Sequence, residues 1–259
     1  MRPSNVFDAH ADLPAGAAAW MSTRQAGHGA APWDSFNLGD HVGDAPERVQ
    51  ANRQRLADTL GVRPVFLQQV HGTGVLELDA QTPDGAVADA CFTFAAGLAC
   101  TIMVADCLPV LLWDVRGQWV AAAHAGWRGL AGQQGVGVLE ALWSALKARG
   151  AMAETTGVWL GPCIGPQAFE VGPEVRQTFL VDQPELTGAF KPAQGDRWLA
   201  DLPALARARL LRLGLTQVDG NDGSPHWCTV SRPALFFSHR RDAARLGSTG
   251  RMAACIWRL

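Results

Sequence analysis

Residues 105–129, ADCLPVLLWDVRGQWVAAAHAGWRG, hold a thiol, an imidazole, a carboxylate and a guanidinium on two apolar segments joined by a short polar turn. A turn centred between Val115 and Arg116 sets Cys107 directly opposite His124 in an antiparallel ladder, with Cβ atoms ~5 Å apart. Two such side chains can share one metal ion, ~2.3 Å from sulfur and ~2.1 Å from nitrogen. They can equally form a nucleophile and its base. A register shift of two residues leaves them diagonal neighbours within reach, whereas a shift of one puts them on opposite faces. Asp106 is a carboxylate inside an apolar run, which is costly without a partner or a task. It is therefore a candidate proton relay, or a support for the neighbouring ligand. Arg128 follows His124 past Gly126, before a predicted helix, where backbone N–H groups and a guanidinium can take an anion.

A metal site needs a third ligand, and the chain offers seven histidines. His71, in LQQVHGTGV, lies at a glycine-marked break beside Gln68 and Gln69. His10, His28 and His41 lie in irregular sequence near the N-terminus, and His226 and His239 in loops near the tail. Spacing alone does not choose among them.

The elements that must position these groups alternate irregularly. Residues 44–60 read as a helix capped by Asp44, with Pro46 in its first turn. A strand, VFLQQVHGTGVLEL, is broken by Gly72 and Gly74. Residues 98–113 form a long apolar strand region interrupted at Asp106 and Pro109, and 118–125 form another strand. A helix is expected over 130–148, a short strand over 157–160 and then the loop GPCIGPQAFEVG. Further helices are expected over 173–181 and 201–213, and short strands near 235–238 and 252–257. Strands and helices mix without strict βαβ alternation, so we expect an α+β fold with a mixed sheet, one domain over residues 1–259.

Composition narrows the class. With 259 residues, 48% of them hydrophobic, the chain can bury one core or two closely fused ones. Charged residues are 18% and the net charge is −2, which predicts no general attraction to nucleic acid or an anionic membrane. No stretch approaches the ~20 apolar residues of a membrane span. Asp8, His10 and Asp12 interrupt any N-terminal apolar run, against a secretory signal. Cys91, Cys100 and Cys255 sit in strand-like apolar sequence and read as buried free thiols of a cytoplasmic protein. Oligomeric state is not legible.

Nearly the whole chain resembles the YfiH-like family, also called laccase-domain, multicopper polyphenol oxidase or peptidoglycan editing factor proteins. The matching segments are FNLGDHVGD (36–44), NR (52–53), QQVHG (68–72), ADA (88–90), ADCLPVLL (105–112), AHAGWRG (123–129), GPCIG (161–165), FEVG (169–172), FFSHRRD (236–242) and GR (250–251). The resemblance implies a mixed α/β sandwich and makes His71, Cys107 and His124 the metal ligands. The chain departs from the family pattern at STRQAGHG (22–29), where His28 separates the glycines, and at His239, where the family often has tyrosine.

Three activities compete for these residues. A multicopper oxidase needs many imidazoles, commonly in His-x-His pairs, and no such pair occurs here, although Cu2+ can enter a His/Cys site in vitro. A cysteine hydrolase would use Cys107 as nucleophile and His124 as base, and would suit editing of a peptidoglycan precursor; a second histidine on the same thiolate looks more like coordination. The resemblance also implies a Zn2+ enzyme that phosphorolyses adenosine, inosine, guanosine or methylthioadenosine and deaminates adenosine. Three ligands leave a zinc position open, and water activated there can attack purine C6, with Asp106 as relay. Phosphate would be cradled by Arg128 with Arg240 or Arg241. This last reading is the expectation carried forward. Its partners are a nucleoside and phosphate.

Overall fold

Leu98–Val104, Leu108–Asp114 and Val120–Ala125 are buried at every position, so these strands are covered on both faces. The computed structural model describes residues 13–259 and the strand Val6–Phe7; Asp8, His10 and Asp12 lie outside the described residues. From the start of the chain come β1 (Val6–Phe7), β2 (Ala17–Ser22), α1 (Pro46–Leu60), β3 (Arg63–Phe66), β4 (Val75–Glu77) and β5 (Ala90–Thr93). The centre is β6 (Leu98–Val104), β7 (Leu108–Asp114), β8 (Val120–Ala125), α2 (Trp127–Ala131), α3 (Val138–Ala148) and β9 (Thr156–Leu160). Then follow β10 (Glu170–Val171), α4 (Pro173–Asp182), β11 (Phe190–Pro192), β12 (Trp198–Ala200), α5 (Leu202–Arg212), β13 (Gln217–Gly220), α6 (His239–Leu246) and β14 (Met252–Arg258).

Two sheets stack face to face. One runs β1-β2-β14-β6-β3 and the other β13-β9-β7-β8-β5-β4; β10-β12-β11 form a small third sheet. Parallel and antiparallel pairs coexist, as in β3–β6 and β14–β6. Alternation along each strand sends one set of side chains between the sheets and the other outward. Cys100, Ile102 and Val104 of β6 meet Leu111 and Trp113 of β7 in the inner layer. Ala99 and Met103 point outward to Leu56 and Leu60 of α1, while Val110 and Leu112 pack under Leu142, Leu146 and Leu205. The result is an α/β/β/α sandwich, the α+β class expected. Among the described residues, no helix is long and apolar enough to cross a membrane.

Several local expectations need correction. The apolar region 98–113 is two strands in different sheets, joined by a corner at Ala105–Cys107 where Asp106 takes φ 89°. The strand expected across 65–78 likewise divides into β3 and β4, in different sheets, with the His71 loop between them. The helix expected over 130–148 is broken into α2 and α3, because the chain doubles back between Gly132 and Gly137. Gly132 has φ 64°, and a β-carbon there would overlap the Val136 carbonyl at 1.9 Å. Ala45, not Asp44, occupies the α1 cap position; the Asp44 carboxylate instead accepts from the Ala45 N–H and the Asn37 amide. Residues 235–238 are not a strand: Ser238 caps α6 by accepting from the Arg241 N–H.

Candidate metal centre

The β7–β8 ladder pairs His124 with Pro109, not with Cys107. The hairpin is therefore centred one residue later than expected, between Arg116 and Gly117, where Gly117 has φ 72° and donates to the Asp114 carbonyl at 2.8 Å. A one-residue displacement of the centre shifts the pairing by two, so Cys107 and His124 stay on one face as diagonal neighbours. Just past the ladder's end, Cys107 faces Gly126. A β-carbon on Gly126 would lie 2.9 Å from Cys107 Sγ and 3.0 Å from His71 Cδ2. The missing side chain is what lets the thiol and the imidazoles converge.

His71 reaches them from the loop between β3 and β4, leaving the sheet at φ 59°, a conformation most side chains avoid. One buried carboxylate holds it there. Asp89 accepts from the backbone N–H groups of Val70 (3.2 Å), His71 (2.9 Å) and Gly72 (2.7 Å). The same group lies 2.8 Å from Nδ1 of His124, and its main-chain carbonyl accepts the His124 N–H. With Nδ1 committed to Asp89, Nε2 is the atom His124 offers the site, the usual arrangement of a ligating histidine.

His71, Cys107 and His124 each present a ligand atom, and all lie within 4.8 Å of one another. Cys107 Sγ is 3.7 Å from His71 Nε2. Ligands around one tetrahedral ion at ~2.1–2.3 Å stand roughly 3.5 Å apart, so a small inward movement closes the set. The donor chemistry, the oriented Nδ1 and the cradle at Gly126 all fit a single zinc-type ion. Before any ion enters, the electrostatics describe a thiolate–imidazolium pair, from which a metal would displace the His124 proton. Burial opposes ionisation of Cys107, but His124 and then His71 outweigh it and hold the thiol at about 6. Burial also opposes the His124 cation, and Cys107 and Asp89 overcome it, raising His124 to about 9.

The cluster opens into a cavity of about 410 Å³. Trp127, Ile164, Phe169 and Leu202 form apolar wall, and Arg128, Arg240 and Arg251 also line it. Arg128 and Arg240 are exposed, and their guanidinium groups lie over Trp127 and Phe169, 4.5 and 5.7 Å from the ring centres. Arg241 is engaged elsewhere: it pairs with Asp242 at 2.7 Å and donates to the carbonyls of Thr229 and Phe236. Asp106 borders the cavity, yet its two oxygens accept from Thr229 Oγ1 and the Arg240 N–H, each at 2.6 Å. It thus fastens α6 to the corner between the sheets. His41 and His239 line the cavity, and His28 and His226 do not. Arg24, from the divergent segment, pairs with Asp34 at 3.0 Å, outside the cavity lining.

Sequence reasoning assigned no role to Asp89, Gly126 or Arg251. The one available signal for Asp89 was a carboxylate between alanines at a strand edge, in a segment that entered only as part of the resemblance.

Stacked sheets with a His–Cys–His cluster at the corner between them define a candidate single-metal protein of the sandwich class. Residues 18–259 match the family model described as multi-copper polyphenol oxidoreductase laccase, and the chain belongs to that family. It is 48% identical over 246 residues to a protein named purine nucleoside phosphorylase PA4543 from Pseudomonas aeruginosa, covering 94% of either chain. It is 46% identical over 247 residues to purine nucleoside phosphorylase YfiH of Shigella flexneri, covering 95% of either chain. Among solved structures, Neisseria meningitidis protein NMB0706 superposes with a TM-score of 0.86 at 40% identity, covering 98% of this chain and 99% of that one. YlmD from Geobacillus stearothermophilus superposes at 0.87 with 30% identity, over 100% of this chain and 97% of that one.

Proposed function

We propose that the protein is a zinc-dependent purine nucleoside phosphorylase that also deaminates adenosine. The observation that carries the metal assignment is the convergence of His71, Cys107 and His124 with Asp89 already bonded to His124 Nδ1. The substrate class rests on the relatives named purine nucleoside phosphorylase and on the cavity. Its volume, about 410 Å³, falls within the ~300–1,000 Å³ of small-molecule sites, and Trp127 and Phe169 are among the residues that line it. A zinc ion held by three protein ligands would supply an open position at which water or a polar substrate atom is activated.

The chain's own residues do the rest. Asp89 fixes the imidazole of His124 and the His71 loop together, so both ligands keep one geometry. Exposed Arg128 and Arg240 give the cavity positive charge that attracts phosphate. Asp106, bonded to the Arg240 N–H, holds that arginine's segment at the cavity and acts by positioning. The arrangement does not favour a multicopper centre, because among the described residues this is the one cluster of three such donors.

A second reading has an observation of its own. Asp89, His124 and Cys107 form a chain of carboxylate, imidazole and thiol like that of a cysteine hydrolase. His71 has no task in it, which is why the metal reading is preferred. Inosine incubated with metal-loaded protein should release hypoxanthine only when phosphate is present, and adenosine should yield inosine without phosphate. No phosphate-dependent base release from a fully loaded sample would end the phosphorylase assignment. Amide hydrolysis by a metal-free sample would favour the hydrolase.

A further inference from the structure

Arg251 stands apart from the other cavity arginines. It precedes β14, and its stem packs against Gly39, where a β-carbon would lie 2.7 Å from Arg251 Cγ. The side chain is largely withdrawn from solvent, and burial weakens its hold on its proton. Yet among the described residues no carboxylate pairs with it. Nη1 donates to the carbonyls of Thr249 and Gly250, at 3.1 and 3.2 Å, and Nε and Nη2 have no partner among the described residues. Arg53, Arg209 and Arg241 are each matched by a carboxylate, Asp40, Glu140 and Asp242 respectively.

The nearby anions do not satisfy it. Cys107 and Asp106 are its electrostatic neighbours, but both Asp106 oxygens are taken by Thr229 and the Arg240 N–H. Gln69, which shares the cavity wall, spends its amide on the N–H and carbonyl of Met103, both at 2.8 Å. The Nε–Nη2 edge is therefore a free two-donor fork in a partly desolvated wall beside the metal cluster, the geometry that binds a tetrahedral oxyanion through two parallel hydrogen bonds. With no protein partner, that edge is open to an anion entering from the cavity.

We propose that Arg251 is the seat of the phosphate co-substrate, gripping inorganic phosphate through its Nε–Nη2 edge. Arg128 and Arg240, exposed and lying over aromatic rings, draw the anion in but do not fix it. The identity of the anion rests on the phosphorylase reading; the existence of the seat does not.

The test is calorimetric titration of metal-loaded protein with inorganic phosphate and, separately, with adenosine 5′-monophosphate. Arg251→Met keeps the stem against Gly39 and removes the fork; Arg251→Lys keeps the charge and loses the two-pronged contact. The expected result is phosphate binding by the wild type, weakened at least tenfold in R251M and severalfold in R251K, with metal content unchanged. The losses in R128A and R240A should be smaller than in R251M. Should R251M fail to fold, R251K alone decides, since wild-type phosphate affinity in that variant contradicts the two-pronged seat. Unchanged binding in R251M, with loss in R128A or R240A, overturns the seat and leaves the phosphorylase reading standing. A wild type that binds the nucleotide but not free phosphate also overturns it. Arg251-dependent phosphate binding without any phosphorolysis supports the seat and sinks only the phosphorylase reading.

Discussion

Oδ1 of Asp89 lies 2.8 Å from Nδ1 of His124, and the same carboxylate receives three successive backbone N–H groups from the His71 loop. One side chain thus sets the orientation of two ligands that come from different parts of the chain. Asp89→Asn keeps the shape but replaces one acceptor oxygen with a donor, which must face either His124 or the loop N–H groups. Metal affinity is expected to fall about 10–100-fold, as when a ligating histidine loses its orienting partner. An unmet buried donor costs ~1–3 kcal/mol, so the melting temperature should also drop by several degrees. Competition with a chromophoric chelator measures the first effect; wild-type affinity in this variant would show that Asp89 does not orient the ligands.

Gly126→Ala probes the cradle. Gly126 has φ −66°, so alanine brings no backbone strain. Its β-carbon would nonetheless crowd Cys107 Sγ at 2.9 Å and His71 Cδ2 at 3.0 Å. The variant should fold and melt near the wild type but purify with less than half its metal. Full metal occupancy would mean that the ligands do not need that space.

Metal removal should expose one reactive thiol. In the metal-free protein His124 and His71 outweigh burial and hold Cys107 at about 6, so the thiolate predominates at pH 7.5 and is lost as pH falls through 6. Cys100, Cys163 and Cys255 are pushed up by burial and stay protonated. Iodoacetamide at pH 7.5 should label Cys107 alone after chelation, and added Zn2+ should block it. Peptide mapping that finds equal labelling with and without zinc would count against coordination through sulfur.

Arg209 tests the scaffold behind the site. Nearly fully buried, it pairs with Glu140 at 3.0 Å and donates to the carbonyls of Leu130, Ala131 and Gly135, tying the turn between α2 and α3 to α5. Arg209→Met takes the cation from Glu140, which keeps only the Gly137 N–H, and the donor from three carbonyls, and breaking such a pair costs ~3–5 kcal/mol. At ~2–4 °C per kcal/mol for a chain of this size, melting should fall by roughly 10 °C. A shift under about 2 °C would mean that the turn is held by other contacts.

The α+β class and most helices were legible because their apolar periodicity is local. Residues 98–113 were harder: β6 and β7 are both buried at every position, and the breaks at Asp106 and Pro109 do not say that the chain changes sheet there. The hairpin register was missed by two residues because Gly117, rather than the Val115–Arg116 pair, shapes the turn. Cys107 and His124 could be paired from that segment alone, whereas His71 was chosen only through the family resemblance. Asp89 and Arg251 were not legible, because each acquires its meaning from partners far along the chain, such as His124 for Asp89 and Gly39 for Arg251.

If His71, Cys107 and His124 share one metal ion that the activity needs, metal and activity must be lost together. The most direct measurement is elemental analysis of wild type and Cys107→Ser, both purified without added metal, with inosine phosphorolysis assayed on the same samples. A serine hydroxyl is a far weaker ligand for zinc than a thiolate. The wild type should hold close to one equivalent of metal, and the variant should lose metal and phosphorolysis together. A Cys107→Ser protein that keeps its metal and its phosphorolysis would contradict a shared His71–Cys107–His124 metal site.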